Sequence, residues 1–381
     1  MIIEGDCLEV MKTFPDNHFS AICTDPPYGL SFMGKEWDAG VPHAEIWTEA
    51  LRVSKPGAFL LAFGGTRTYH RLTCAIEDAG WEIRDCLSWL YASGFPKSHN
   101  NFGIPGYGTA LKPAWEPIIF AMRPLDGTFA KNAEKWGQAG INIDGCRIPI
   151  DSEKDDPRLG GKGSWDTSSA GQNVYEGGYA GNRMTSSPKG RWPANVMFDE
   201  EAAEMLDEKS GISNPKQQRE GVKGGSGFGY FDDVKTSSMN GVWPGDNGGG
   251  ASRFFYCAKT SSRERNEGLE AFPLKEKKTL NDYTSPSEGR SASKSGAPMA
   301  NNHPTVKPLK LMTYLIKLIM PQKDGILLDP FAGSGSTLVA ATRLGIDCIG
   351  IEKQPEYCEI ARKRVEHELE KPKQIDLFNE N

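Results

Sequence analysis

Two short segments, far apart in the chain, carry residues fit for chemistry. The first is Asp25-Pro26-Pro27-Tyr28, which follows the apolar run 19–24. Asp25 supplies a carboxylate acceptor. The prolines hold the turn rigid and leave the Pro26 carbonyl without a ladder partner. Tyr28 supplies a ring that can stack on a flat heterocycle, worth roughly 1–3 kcal/mol. Such a set suits an exocyclic amine whose lone pair is delocalised into its ring. Acceptors for both N–H protons pull the nitrogen toward tetrahedral geometry and free the lone pair for attack. A plain strand-ending turn is the competing reading of the same four residues.

The second segment is Asp329-Pro330-Phe331-Ala332-Gly333-Ser334-Gly335-Ser336-Thr337, after the apolar run 325–328. A glycine turn between a strand and a helix lets backbone approach a ligand, because a side chain there would block it. Glu352 lies 23 residues beyond Asp329, near the offset at which an acidic residue reaches ribose hydroxyls. Position 338 is Leu, so the third glycine of a dinucleotide fingerprint is missing, and no Gly-Lys-Ser/Thr marks a phosphate loop. A ribose ligand without a pyrophosphate fits best. His303-Pro304-Thr305-Val306-Lys307-Pro308 precedes an apolar helix. Thr305 or Lys307 at a helix start can hold a carboxylate, although a proline-punctuated cap reads equally well from these residues alone.

The elements that must position these segments alternate. Residues 19–24, 58–63, 81–91 and 115–122 read as strands, with helical spacing over 44–53 and 67–78. Later, 307–320 reads as an apolar helix, 326–329 and 346–352 as strands, and 336–344 and 354–369 as helices. Such alternation predicts a parallel sheet with crossover helices. The middle differs: residues 151–250 hold 19 glycines, interleaved with Trp165, Tyr175, Tyr179, Trp192, Phe228, Tyr230, Phe231 and Trp243. This composition predicts a loop-rich module ordered by a partner, with short ordered pieces at 192–198 and 200–209. Residues 281–302 read as a mobile loop.

Composition narrows the class. The 381 residues are 38% hydrophobic and 25% charged, as in a soluble protein large enough for one or two domains. No apolar stretch has the length of a membrane span, and the first residues lack a signal-peptide pattern. The eight cysteines form no C-x-x-C pair, which fits a reducing cytoplasm rather than a disulfide or zinc scaffold. The six histidines are dispersed, so no metal site is expected. No Pro-Cys dipeptide occurs, which removes the nucleophile that methylation of a pyrimidine carbon needs. The net charge of −6 gives no global attraction to nucleic acid, but residues 259–310 carry ten Lys+Arg against six Asp+Glu. Arg263, Arg265, Lys275, Lys277 and Lys278 are the candidates there for phosphate contacts.

With these motifs in this order, the chain resembles the amino-group DNA methyltransferases, which make N6-methyladenine or N4-methylcytosine. The tyrosine motif comes first and the glycine turn last, which resembles the beta-ordered, circularly permuted group found in phage, prophage and restriction-modification systems. The segment Gly5-Asp6-Cys7-Leu8-Glu9 is similar to that group's opening. The resemblance is strong over 1–125 and 303–370, and weaker over 139–149, 190–198 and 252–259.

It implies an α/β Rossmann-like fold with a mostly parallel seven-stranded sheet, using S-adenosyl-L-methionine as cofactor and double-stranded DNA as partner. The implied division is a catalytic half at 1–125, an inserted target-recognition and DNA-contact region with some core strands at 126–302, a cofactor half at 303–370 and a tail at 371–381. Asp25, Pro26, Pro27 and Tyr28 would meet the target base. Asp329, Phe331, Ala332, Gly333, Ser334, Gly335 and Thr337 would form the cofactor turn. Glu352 would take the ribose, Asp6 the adenine end, and Thr305 and Lys307 the methionine carboxylate. A leading Asp points to adenine as the base, with cytosine N4 as the alternative, and RNA or protein substrates or an inactive DNA-binding relative further off. The expected state is a cytoplasmic monomer or homodimer. Strands 19–24 and 326–329 should then be neighbours in one sheet.

Overall fold

The computed structural model describes residues 1–30, 38, 40–94, 98, 103–149, 190–211, 250–258, 264, 266–270, 272, 300–301, 303, 306–321 and 325–371, together with the backbone of 275–277 and 296–299. The glycine- and aromatic-rich stretches around Trp165 and Phe228, Thr305, and Arg263, Arg265 and Lys278 lie outside the described residues, as does most of 281–302.

In chain order the elements begin with β1 (Ile2–Glu4), α1 (Cys7–Met11), β2 (Phe19–Thr24), α2 (Ala44–Val53), β3 (Ser54–Phe63) and α3 (Tyr69–Asp78). Then come β4 (Glu82–Leu90), β5 (Trp115–Met122), α4 (Phe129–Trp136), β6 (Val196–Asp199), α5 (Glu200–Ser210) and β7 (Tyr256–Ala258). The last are β8 (Lys275–Lys277), β9 (Gly296–Met299), α6 (Leu309–Ile319), β10 (Ile326–Asp329), α7 (Ser336–Arg343), β11 (Asp347–Glu352) and α8 (Pro355–Glu370).

Buried on both faces, β2 is apolar but for Ser20 and Thr24, as a central parallel strand must be. It lies beside β10 in parallel register, Leu327 opposite Ala21 and Leu328 opposite Ile22, so the two motif-bearing strands are neighbours as expected. The sheet runs β1-β11-β10-β2-β3-β5-β4-β6-β7. The sheet therefore holds nine strands where seven were expected, with β6 and β7 added beyond β4. One detail departs from simple alternation: β5 runs antiparallel to both β3 and β4. The described residues between β4 and β5 include no helix, and a parallel return requires a crossover. The core packs Phe19, Ile22, Trp47, Leu60, Trp81 and Ile119 between sheet and helices.

The main compact unit comprises residues 1–146, 195–202 and 257–381. Residues 126–146 group with the sheet. The Asn142 N–H donates to Leu318 O at 2.8 Å and the Tyr314 hydroxyl to Cys146 O at 3.4 Å. The second unit, 147–194 and 203–256, is described only in part. Within it Ile148 and Arg191 exchange backbone bonds of 3.0 and 2.8 Å, and Asp207 accepts from Ser252 N and Oγ, each at 2.7 Å.

The apolar helix begins at Leu309 rather than 307. Pro308 is extended (φ −60°, ψ 131°), and the residue before a proline is kept from helical geometry. Lys307 is thereby left in a loop. At the other motif, Gly335 has φ +79°, and a Cβ there would lie 2.8 Å from Ala361 Cβ on α8. Gly335→Ala should therefore destabilise the fold by roughly 1–3 kcal/mol in urea unfolding. A change within about 0.5 kcal/mol would show that α7 and α8 do not need this approach.

Candidate active site

β2 and β10 end side by side, so the turns that follow them face one space. A cavity of about 1370 Å³ is lined on one side by Asp25, Pro26 and Tyr28, and on the other by Phe331, Gly333 and Glu352. Pro27, Asp6, Lys307, Asp329, Ala332, Ser334 and Thr337 also reach its wall. Gly335 does not; it serves the contact between α7 and α8.

Several side chains fix the tyrosine turn. Asp38, 2% exposed, accepts from the backbone N–H groups of Tyr28, Gly29 and Leu30 at 2.7, 2.9 and 3.2 Å. The Thr68 hydroxyl donates to Tyr28 O at 2.5 Å. The Tyr28 hydroxyl donates to Asp25 Oδ1 at 2.8 Å. Among the described residues no donor reaches the Pro26 carbonyl.

Lys307 stands in this half of the site. Its ammonium, 7% exposed, lies 2.8 Å from Asp25 Oδ2 and 3.3 Å from Glu116 Oε2, and donates to the Tyr28 hydroxyl at 3.0 Å. Burial pulls the Lys307 ammonium down, but Asp25 and Glu116 outweigh it and hold the group above its ordinary range. Burial pushes the Glu116 carboxyl up and Asp25 adds to this, while Lys307 opposes both. The Tyr28 hydroxyl is held well above its ordinary range by burial, then by Asp25 and Glu116. The expected role of Lys307, on a cofactor carboxylate, thus has a rival already in place.

The glycine turn is held from its other side. Arg364 of α8, buried, donates to Ser334 O at 2.6 Å. Gly333 has φ +51°, and a Cβ would meet His303 Nε2 at 2.8 Å. Glu352 accepts from Gly333 N at 2.9 Å and Gln354 N at 2.7 Å, and burial holds its carboxyl above the ordinary range. Asp6 caps α1 by accepting from Leu8 N at 3.1 Å and pairs with Lys353 at 3.4 Å. His303 packs edge-on against Tyr357, ring centroids 4.6 Å apart.

The sequence singled out neither Glu116, Asp38, Tyr357 nor Arg364, and His303 only as part of its segment. Glu116 had one visible sign, an acidic residue inside an otherwise apolar strand. Asp329 is at the wall, yet its carboxylate ties the halves together: the Thr24 hydroxyl donates to Oδ1 at 2.6 Å and Phe331 N at 3.1 Å.

The sequence model of the N6/N4 DNA methylase family matches residues 19–363, and the chain belongs to that family. Among curated proteins, Type II methyltransferase M2.DpnII of Streptococcus pneumoniae is 49% identical over 71 residues, 19% of this chain and 26% of the relative. Type II methyltransferase M.ScaI of Streptomyces caespitosus is 32% identical over 112 residues, 29% of this chain and 36% of the relative. The matches thus span about a quarter to a third of these relatives' own length. Among solved structures, the PvuII DNA methyltransferase (cytosine-N4-specific) is similar at 14% identity, covering 99% of this chain and 88% of that one, with a TM-score of 0.47. A DNA modification methylase of Thermus thermophilus complexed with S-adenosyl-L-methionine is similar at 14% identity, covering 97% and 94%, with a TM-score of 0.43.

Desolvation pushes the Asp329 carboxyl up to about 6, against lowering bonds from Thr24, Thr337 and Phe331 N–H. Unfolded, it titrates near about 3.9. Between those values the folded chain keeps a proton that the unfolded chain has lost. Its contribution therefore makes stability fall as pH rises from about 4 to about 6, and stay lower above that, by at most roughly 3 kcal/mol. Asp329→Asn should remove this decline from urea-unfolding curves taken across that window. An equal decline in both proteins would contradict the assignment.

Proposed function

We propose that this chain transfers a methyl group from S-adenosyl-L-methionine to the exocyclic amine of a base flipped out of double-stranded DNA, adenine N6 before cytosine N4. The observation that carries the reading is one cavity lined by both the Asp25–Pro26–Tyr28 turn and the Gly333 turn. The cavity has room for a nucleoside cofactor and a base together. Gly333, without a Cβ, and Glu352, a carboxylate at a strand end, fit a ribose-bearing ligand. Asp6 lies at the same wall. Family membership supports the reaction class, and the leading Asp25 supports adenine.

When bound, the cofactor supplies an electrophilic methyl group on a sulfonium. The chain's own residues do the rest. Asp25 accepts one N–H of the amine and the Pro26 carbonyl the other, which localises the nitrogen lone pair. The Tyr28 ring stacks on the base and offsets part of the few kcal/mol that flipping takes. Asp38 and Thr68 keep the turn in place so that the acceptors need no reorganisation.

Expression in bacteria lacking DNA methylation, followed by modification-aware sequencing of host DNA, tests this reading. Methylated amino groups at a defined motif are expected, and unmodified DNA despite a folded, expressed chain would refute it. Asp25→Asn should lower kcat by roughly 100-fold or more while S-adenosyl-L-methionine affinity by calorimetry stays within about 3-fold. Glu352→Ala should instead weaken cofactor affinity. Asp25→Asn retaining more than about a tenth of the activity would exclude the acceptor role.

A further inference from the structure

Glu116 is the second residue of β5, a strand otherwise built of apolar residues and a proline. Its carboxylate does not serve the sheet. It faces the cavity and approaches Lys307 Nζ at 3.3 Å and the Tyr28 hydroxyl at 3.4 Å. Both of those groups also hold Asp25: Lys307 at Oδ2, 2.8 Å, and Tyr28 at Oδ1, 2.8 Å. A buried ammonium with Asp25 as its sole anion would place its whole charge there. It would draw on the electron density that a neutral amine needs from an acceptor. A second carboxylate on the same ammonium divides that pull, and it holds Lys307 by a second bond so that Asp25 is fixed in direction as well.

We infer that Glu116 is a positioning residue for Asp25: by sharing the Lys307 ammonium and contacting the Tyr28 hydroxyl, it orients the Asp25 carboxylate and keeps it a strong acceptor for the target amine. The inference rests on the methyl-transfer reading of the same site. Among the described residues, the titratable groups that act on Glu116 are Lys307 from the loop before α6, and Asp25 and Tyr28 from the turn after β2. Tyr91, after β4, feels its charge in turn. Burial and Asp25 raise the Glu116 carboxyl, so sharing is complete above its raised titration and lost as pH falls through it.

Two measurements on the full chain test this. Carbon-13 NMR of the Glu116 carboxyl, assigned with Glu116→Gln, needs neither cofactor nor DNA. Removing the like charge in Asp25→Asn should lower the Glu116 midpoint by roughly half a unit or more, and removing the cation in Lys307→Met should raise it by a similar amount. A folded Asp25→Asn protein with an unmoved Glu116 midpoint overturns the inference. In methyl-transfer kinetics, Glu116→Gln should lower kcat by roughly 10-fold or more with the cofactor KM within about 2-fold, and should flatten the acid limb of the kcat profile; Glu116→Asp should recover part of the loss. An isosteric glutamine with unchanged kcat and acid limb also overturns it, since a packing role alone would give that result. Coupled midpoints in a wild-type chain that methylates no DNA support the charge sharing and refute the methyl-transfer reading instead.

Discussion

A hydrogen bond of 2.6 Å, from the Thr24 hydroxyl to Asp329, joins residues 305 apart in sequence. Both are buried at the ends of adjacent parallel strands. Everything in the site follows from that adjacency. Parallel neighbours end at the same edge of a sheet, so the turn after β2 and the turn after β10 open onto one space, where ligands of open α/β sheets bind. Had the pairing been antiparallel, Asp25 and Gly333 would lie at opposite edges. β1 reinforces the arrangement by pairing with β11, Glu4 opposite Glu352, which brings Asp6 to the same edge.

Within that space, charge is arranged at some expense to stability. Lys307 is a buried cation, tolerable because two carboxylates and a hydroxyl surround it. The cluster of Lys307, Asp25 and Glu116 carries one more formal negative charge than positive when all are ionised. That leaves acceptor strength on the side facing the cavity. Asp38 instead accepts from three backbone N–H groups of the turn. The tyrosine turn is thus rigid through its backbone and polar through its side chains.

Much of this was legible in the sequence, for physical reasons. Asp25-Pro26-Pro27-Tyr28 and the glycine turn are local motifs, and residue types at fixed spacing determine what they can do. The bounds of α2 and β10 follow from periodicity and agree with the structure. The partners were not legible. Lys307 belongs by sequence to the glycine-turn half, and only the halt imposed by Pro308 and the folded sheet turn it toward Asp25. Glu116 and Arg364 act across long stretches of chain, and Asp38 folds back over eight to ten residues onto the turn; no local pattern marks these contacts. The reversed direction of β5 goes with the lack of a crossover helix among the described residues between β4 and β5, and not with β5 itself, whose residues suit either direction.

Methyl transfer by this chain requires the two turns to form one site. A crystal structure of the chain with S-adenosyl-L-methionine tests this most directly. The ribose is expected at Glu352, the cofactor against Phe331 and Gly333, and the methyl group directed into the space in front of Asp25 and the Pro26 carbonyl. A cofactor bound elsewhere, or one whose methyl group points away from Asp25, would contradict a shared site.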